Sequence, residues 1–319
     1  MLSRRAFVAS PLALMFAGEY EVAQITSPVP NRVFQRDGSG NASFRVTWRG
    51  SADSVRLMDG QTQVASSISG VFVDVPSGWY DCELIVSGSP VDTMKIGVGD
   101  VYVVAGQSNS VSQRQPETYS MPSIPEGKCI VSDYYRFGSD TFRDLGADSL
   151  NASPGLAQAG CAWQHCAAAL NRDWPVMFVL IGKGNTTYYE WAYKYVQELF
   201  AAWAIYRPKA VLWHQGESEC TTPPRTDSYT MLNACVESLR NVTVTPVVIA
   251  LNSTSYPPPE GYGAWPVRAA QQQVIANWAH VHTGPDTDTI RNAGEVEFLG
   301  SDLQAHGELW ATRLTQLNL

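Results

Sequence analysis

From about Gln24 to Gly99, hydrophobic and polar positions alternate in short runs, as in Phe44–Trp48, Ser54–Met58, Val71–Val75 and Tyr80–Val86. Turn residues separate them at Asp37–Gly40, Asp59–Gly60 and Pro76–Gly78. Evenly spaced period-two runs predict half-buried strands, here a small β-sandwich-like domain over residues 24–98. After Gly99 the pattern changes. Continuous apolar runs at Val101–Ala105, Val176–Ile181, Ala210–His214, Pro246–Leu251 and His280–Thr283 predict strands covered on both faces. Helical spacing fills the gaps, over Leu156–Asn171, Glu190–Tyr206, Ser228–Arg240 and Trp265–Ala279, with a last helix over Gly307–Gln316. This alternation predicts an α/β fold over residues 99–319, a three-layer αβα, doubly wound parallel sheet. Ligands of such sheets lie beyond the carboxyl ends of the strands.

Two stretches carry little period, 112–153 and the Pro257–Gly263 loop, and long irregular connections inside a compact domain are usually functional or covering. The 319-residue chain has a net charge of −8, with 45% hydrophobic and 16% charged residues. No basic run exists to neutralise phosphates, which argues against a nucleic-acid partner. Ser3-Arg4-Arg5 and the apolar stretch Ala6–Ala17 read as a twin-arginine-like export signal over residues 1–23, which places the protein in the periplasm or outside the cell. That stretch is shorter than the roughly 20 residues of a membrane span, and no later segment reads as one. Six cysteines (Cys82, Cys129, Cys161, Cys166, Cys220 and Cys235) permit up to three disulfides in an exported protein. Buried free thiols are the other reading. None of the six shows C-x-x-C metal spacing.

Against this background, Gly106-Gln107-Ser108-Asn109 follows directly on the strand Val101–Ala105. A glycine-flanked serine at a strand end is where an α/β enzyme exposes a nucleophile. Serine is a weak nucleophile until an adjacent base takes its proton, usually a histidine held in one tautomer by a third group. The chain has five histidines: His165, His214, His280, His282 and His306. His165 lies in a helical pattern, and His280 and His282 share one face of a strand. His214 ends the strand Ala210–His214 beside Gln215. His306 follows the last strand, just before the last helix, four residues past Asp302.

Together, Gly106-Gln107-Ser108-Asn109, His214-Gln215-Gly216-Glu217 and the C-terminal Asp302…His306 resemble the SGNH hydrolase superfamily, and within it the carbohydrate acetylesterase branch of sialate O-acetylesterase and acetylxylan esterase relatives. The resemblance spans about Val98 to Leu319 and implies a flavodoxin-like sheet. It makes Ser108 the nucleophile, His306 the general base and Asp302 its orienting partner. The oxyanion hole it implies consists of the N–H groups of Ser108 and Gly184 and the side-chain amide of Gln215, with Gln107, Asn109 and Glu217 in support. Asp302 and His306 enclose three residues where the family usually has two. A helical i,i+4 relation could still join them; otherwise a backbone carbonyl or Glu217 would orient the imidazole.

The chemistry so implied is removal of O-acetyl groups from a carbohydrate (sialic acid, xylan or a bacterial polysaccharide) through an acetyl-serine intermediate, without metal or organic cofactor. Two alternatives remain open from sequence. One is a lipid, aryl ester or thioester hydrolase of the same fold. The other is a non-catalytic glycan-binding module of a phage tail or cell-surface assembly, for which the location would be a virion.

Overall fold

The computed structural model describes residues 22–111, 129–132, 142–144, 162–221, 228–252, 264–290, 297–298 and 301–319. The export-signal motif, Cys161, the Pro257–Gly263 loop and most of the 112–153 stretch lie outside the described residues. Among the described residues nine strands come first: β1 (Gln24–Ser27), β2 (Val33–Gln35), β3 (Asn41–Arg45), β4 (Thr47–Arg49), β5 (Ser54–Asp59), β6 (Thr62–Ser67), β7 (Val71–Pro76), β8 (Gly78–Val86) and β9 (Ser89–Gly106). β1 pairs with β4 and β3 with β7, while β5 joins β6 and β8, and β8 joins β9. Alternation works as the pattern demands. Val55, Leu57, Phe72, Val75, Cys82, Leu84, Ile96 and Val98 face inward and share one apolar core with Ile25 and Phe44.

The rest alternates strand and helix. β10 (Cys129–Ser132), β11 (Phe142–Asp144), β12 (Val176–Leu180), β13 (Ala210–His214), β14 (Val247–Leu251) and β15 (Val281–Asp286) complete the central sheet in the order β11-β10-β12-β9-β13-β14-β15. The ladder from β10 to β15 is parallel. At the edge, β11 runs antiparallel to β10, so the sheet is mixed rather than wholly parallel. The helices are α1 (Ser108–Val111), α2 (Ala162–Leu170), α3 (Tyr188–Glu190, a π turn over Trp191–Tyr195, then Val196–Tyr206), α4 (Glu217–Thr221), α5 (Ser228–Arg240), α6 (Ala264–Asn277) and α7 (Ser301–Gln316).

Period-two geometry divides each strand between two layers. Val101, Val103 and Ala105 of β9 pack with Trp191, Leu199, Leu232 and Val274 from α3, α5 and α6. Tyr102 and Val104 pack with Trp163, Cys166, Trp310 and Leu314 from α2 and α7. Burying each such aliphatic side chain contributes about 1.5–3 kcal/mol relative to leaving it exposed, which is why these strands read as continuous apolar runs.

Two expectations are corrected here. Cys82, Cys166, Cys220 and Cys235 are free, buried thiols, so the disulfides that the cysteine count permitted are not formed among the described residues. Burial pushes the thiols of Cys82 and Cys220 up to about 12, which keeps them protonated and inert. The last helix begins at Ser301, not Gly307. Gly307 breaks nothing: it is the crossing point of α7 on α2, where a Cβ would lie 2.2 Å from the carbonyl oxygen of Ala162.

The chain winds outward from β9 in both directions, with β12 on one side and β13 on the other. The carboxyl end of β9 is therefore the topological switch point, where a crevice opens.

Candidate active site

Ser108 sits at this switch point. β9 ends at Gly106, whose φ of +119° is open to glycine and where a Cβ would lie 1.9 Å from the carbonyl oxygen of His214. The chain can then turn sharply into α1, which starts with Ser108. The side chain is 96% buried (relative exposure 4%), and its hydroxyl takes no hydrogen bond among the described residues.

The neighbours of Ser108 brace three loops. Gln107 donates its N–H to the His214 carbonyl at 2.9 Å, and its Oε1 accepts from Gln215 Nε2 at 2.8 Å and from the Ser218 N–H at 3.1 Å. Asn109 Nδ2 donates to Glu217 Oε1 at 2.6 Å, while Asn109 Oδ1 accepts the Phe298 N–H at 3.0 Å. The loop after β12 closes the third side. Lys183 N–H donates to the Gly106 carbonyl at 2.7 Å, and a Cβ on Gly182 would strike the Ser110 hydroxyl at 2.0 Å.

The expected oxyanion donors differ in their state. Gln215 is fully buried, and its amide nitrogen donates to the Thr186 carbonyl, to Gln107 Oε1 and at 3.2 Å to Glu219 Oε2. Exchanging its O and N would set oxygen against those oxygens, so the orientation is fixed. Two N–H bonds thus face three protein acceptors, and none is left for a ligand in this arrangement. Gly184 is half-buried in the turn that precedes Asn185, and its N–H enters no hydrogen bond among the described residues.

His306 is not in a loop. It is the sixth residue of α7, fully buried, with Phe298 at 4.8 Å between ring centroids. Its Nε2 accepts from Trp310 Nε1 at 3.0 Å and lies 3.0 Å from His214 Nδ1. Its Nδ1 is buried without a partner. Burial first, and His214 second, push His306 well below the ordinary histidine range. Asp302, one turn away, makes no hydrogen bond or ion pair among the described residues, and partial burial pushes it upward. The neighbours of the imidazole are His214 and Trp310 instead.

Trp310 was not singled out from sequence, and His214 and Glu219 were given no role of their own there. Trp310 stands four residues beyond His306, so helical spacing carried the signal once α7 began early enough. His214 Nε2 lies 2.9 Å from Glu217 Oε1, an ion pair when the ring is protonated. Burial pushes Glu217 upward, but His214 and the Asn109 amide outweigh it and hold the carboxyl below its usual range. Glu219 accepts the Tyr188 N–H at 2.5 Å, and burial pushes it up to about 7. Among the described residues no cluster of three His, Cys, Asp or Glu side chains forms a metal site.

The doubly wound sheet, with this polar cluster at its switch point, is that of a carboxylic ester hydrolase. The chain belongs to the carbohydrate esterase family described as sialic acid-specific acetylesterase, which residues 98–289 match, more than half its length. The match contains Ser108, Gly184, His214, Gln215 and Glu217 and stops before Asp302 and His306. The protein is similar in fold to a carbohydrate acetylesterase from Xanthomonas citri, at 15% identity over 92% of this chain and 75% of that one, with a TM-score of 0.60. It is also similar to a protein from Arabidopsis thaliana, at 17% identity over 68% of this chain and 98% of that one, with a TM-score of 0.53. No curated protein sequence matches the chain. Among the described residues no helix is long and apolar enough to cross a membrane.

Proposed function

We propose that the protein removes O-acetyl groups from a carbohydrate by forming an acetyl ester on Ser108. The observation that carries this reading is the Ser108 hydroxyl, held at the carboxyl edge of the sheet by Gln107 and Asn109 yet without a hydrogen bond of its own. Ser108 attacks the acetyl carbonyl, and the free N–H of Gly184 with that of Ser108 is offered to the oxyanion. Its proton passes to the His214–His306 pair. The leaving sugar hydroxyl recovers that proton, and water then releases acetate. Gln215 shapes the turn rather than donating, because its amide is saturated.

Acetate release from acetylated sialosides, xylan and bacterial polysaccharides, with p-nitrophenyl acetate as a simple control, tests the proposal. Ser108→Ala is expected to abolish release from every substrate, and full retention would sink the reading. Asp302→Asn is expected to stay within about twofold of the parent, since no orienting hydrogen bond is lost.

A further inference from the structure

The start of β2, the end of β3 and the last turn of α3 meet around a cavity of about 210 Å³. Its walls include Ser27, Pro28, Phe34 and Ile205, together with two cations, Arg32 and Arg45. Among the described residues no acidic side chain lines it. The two arginines are held differently. Arg32 is buried; its Nη2 donates to the Ile205 carbonyl at 2.8 Å, and its guanidinium lies 4.0 Å from the Tyr206 ring centroid. It thus fixes a positive charge in the wall, where the carbonyl end of a helix favours one. Arg45 is exposed and makes no hydrogen bond or ion pair among the described residues. Its guanidinium is a planar fork that matches a carboxylate through two parallel N–H bonds.

We propose that this cavity binds one carboxylate-bearing sugar residue of an acidic polysaccharide, at a point remote from the acetyl group that is removed. The proposal rests on the reading of the protein as a carbohydrate O-acetylesterase. The carboxylate pairs with Arg45 in the field of Arg32, the Ser27 hydroxyl meets a ring hydroxyl, and Phe34 and Pro28 take the C–H face of the ring. Phe34 is backed by Phe44, stacked at 4.2 Å between centroids, so that wall is firm. Volume sets the size of the ligand. Pockets for drug-sized molecules run to roughly 300–1,000 Å³, so this smaller cavity takes a single ring rather than an oligomer. A neutral sugar would leave the charge unmatched, and a free phosphate would leave the apolar wall uncovered.

Distance sets the kind of acceptor. Phe34 pairs with Val98 of β9, and the strand runs on from 98 to its end at Gly106. At about 3.3 Å per residue those eight steps span roughly 26 Å. α3 gives the same separation in the next layer. It starts at Tyr188, whose hydroxyl donates to the Gln215 carbonyl at 3.0 Å, and ends at Tyr206 beside the cavity. A monosaccharide cannot span that length. The sugar held here and the sugar deacetylated at Ser108 are therefore different residues of one polymer.

Binding to the full-length Ser108→Ala protein tests the cavity without using turnover. Titrated at about 0.1 M salt with oligogalacturonate, oligosialic acid, a xylo-oligosaccharide and inorganic phosphate, it should bind one or both acidic oligomers and neither of the others. Arg45→Glu, an exposed change at the end of β3, should weaken that binding by about fivefold or more, the worth of a partly exposed ion pair. With Ser108 intact, Arg45→Glu should raise KM for an acetylated acidic polymer by a similar factor. Its kcat, and its hydrolysis of p-nitrophenyl acetate, should stay within about twofold of the parent, since the charge lies beyond the Debye length of about 10 Å from Ser108. Binding of neither acidic oligomer, or equal binding of the xylo-oligosaccharide or phosphate, would overturn the ligand class. Acidic binding that Arg45→Glu leaves unchanged would overturn the site. Hydrolysis of p-nitrophenyl acetate retained in Ser108→Ala would instead sink the nucleophile, while the titrations still decide the cavity.

Discussion

Glu219 joins the loop after β12 to the loop after β13, through the Tyr188 N–H and the Gln215 amide, and burial lifts its carboxyl to about 7. An acid whose folded value lies above its unfolded one binds its proton more tightly when folded. The stability it contributes is therefore fullest below about 4.5 and is lost as pH rises through about 7. Glu219→Gln keeps an acceptor and removes the titration. Thermal melts at pH 5 and pH 8 should show the variant gaining on the parent at the higher pH, and an unchanged gap would count against this. At this scale the meeting of the Gln107–Asn109 and Gln215–Glu217 turns was legible from sequence, because each is a short motif at a strand end. The saturation of the Gln215 amide was not. One of its acceptors is the Thr186 carbonyl, a backbone atom that no residue type announces.

Among the elements, α7 shows where periodicity misleads. Gly307 reads as a helix boundary because glycine is a poor interior residue, yet tertiary packing overrides that preference. α7 starts six residues earlier, with Asp302 in its first turn, a position favourable to the helix dipole. That shift turns His306 from a loop residue into a buried partner of His214. Gly307→Ala pushes a methyl against the Ala162 carbonyl and the Cys166 N–H, 2.2 and 2.9 Å from an ideal Cβ. Overpacking of this kind costs about 1–3 kcal/mol. The variant should melt lower and lose activity together with the His214–His306 contact, whereas an unshifted melt would mean that α2 and α7 separate freely. The strands β12, β13 and β14 and the carboxyl end of β9 were legible to within a residue or so, because burial on both faces leaves continuous apolar runs, whereas the start of β9 at Ser89 was not. β15 was misplaced: His280 has φ +60° and precedes the strand, which runs on through Gly284 and Pro285.

Across the whole molecule, Asp100 is the main polar junction. Fully buried in β9, it pairs with Arg36 at 2.8 Å and Lys209 at 3.3 Å and accepts from Trp174 Nε1 at 2.9 Å. Burial opposes its charge, but these partners prevail and hold the carboxyl below its usual range. Such stability is present above about pH 3.9, the unfolded value, and fades as pH falls. Asp100→Asn leaves two cations without a counter-charge. Their side chains retain 19% and 21% exposure, so the loss should be about 2–4 kcal/mol, below that of a wholly buried pair. Melting curves should show the parent well above the variant at pH 7 and the two converging in acid, and a constant difference would argue against the pairing.

β9 itself runs unbroken from Ser89 to Gly106, pairing with β8 over its first part and with β12 and β13 over its last. The domain division expected between residues 98 and 99 falls inside a single strand, where a flexible tether would otherwise sit. Tethered modules search a volume set by linker length and gain affinity through effective concentration. Here there is no leash to lengthen or shorten. Whatever the N-terminal strands touch is carried at a fixed offset from Ser108, measured out along the strand at about 3.3 Å per residue, so the two parts meet a large acceptor in one orientation or not at all.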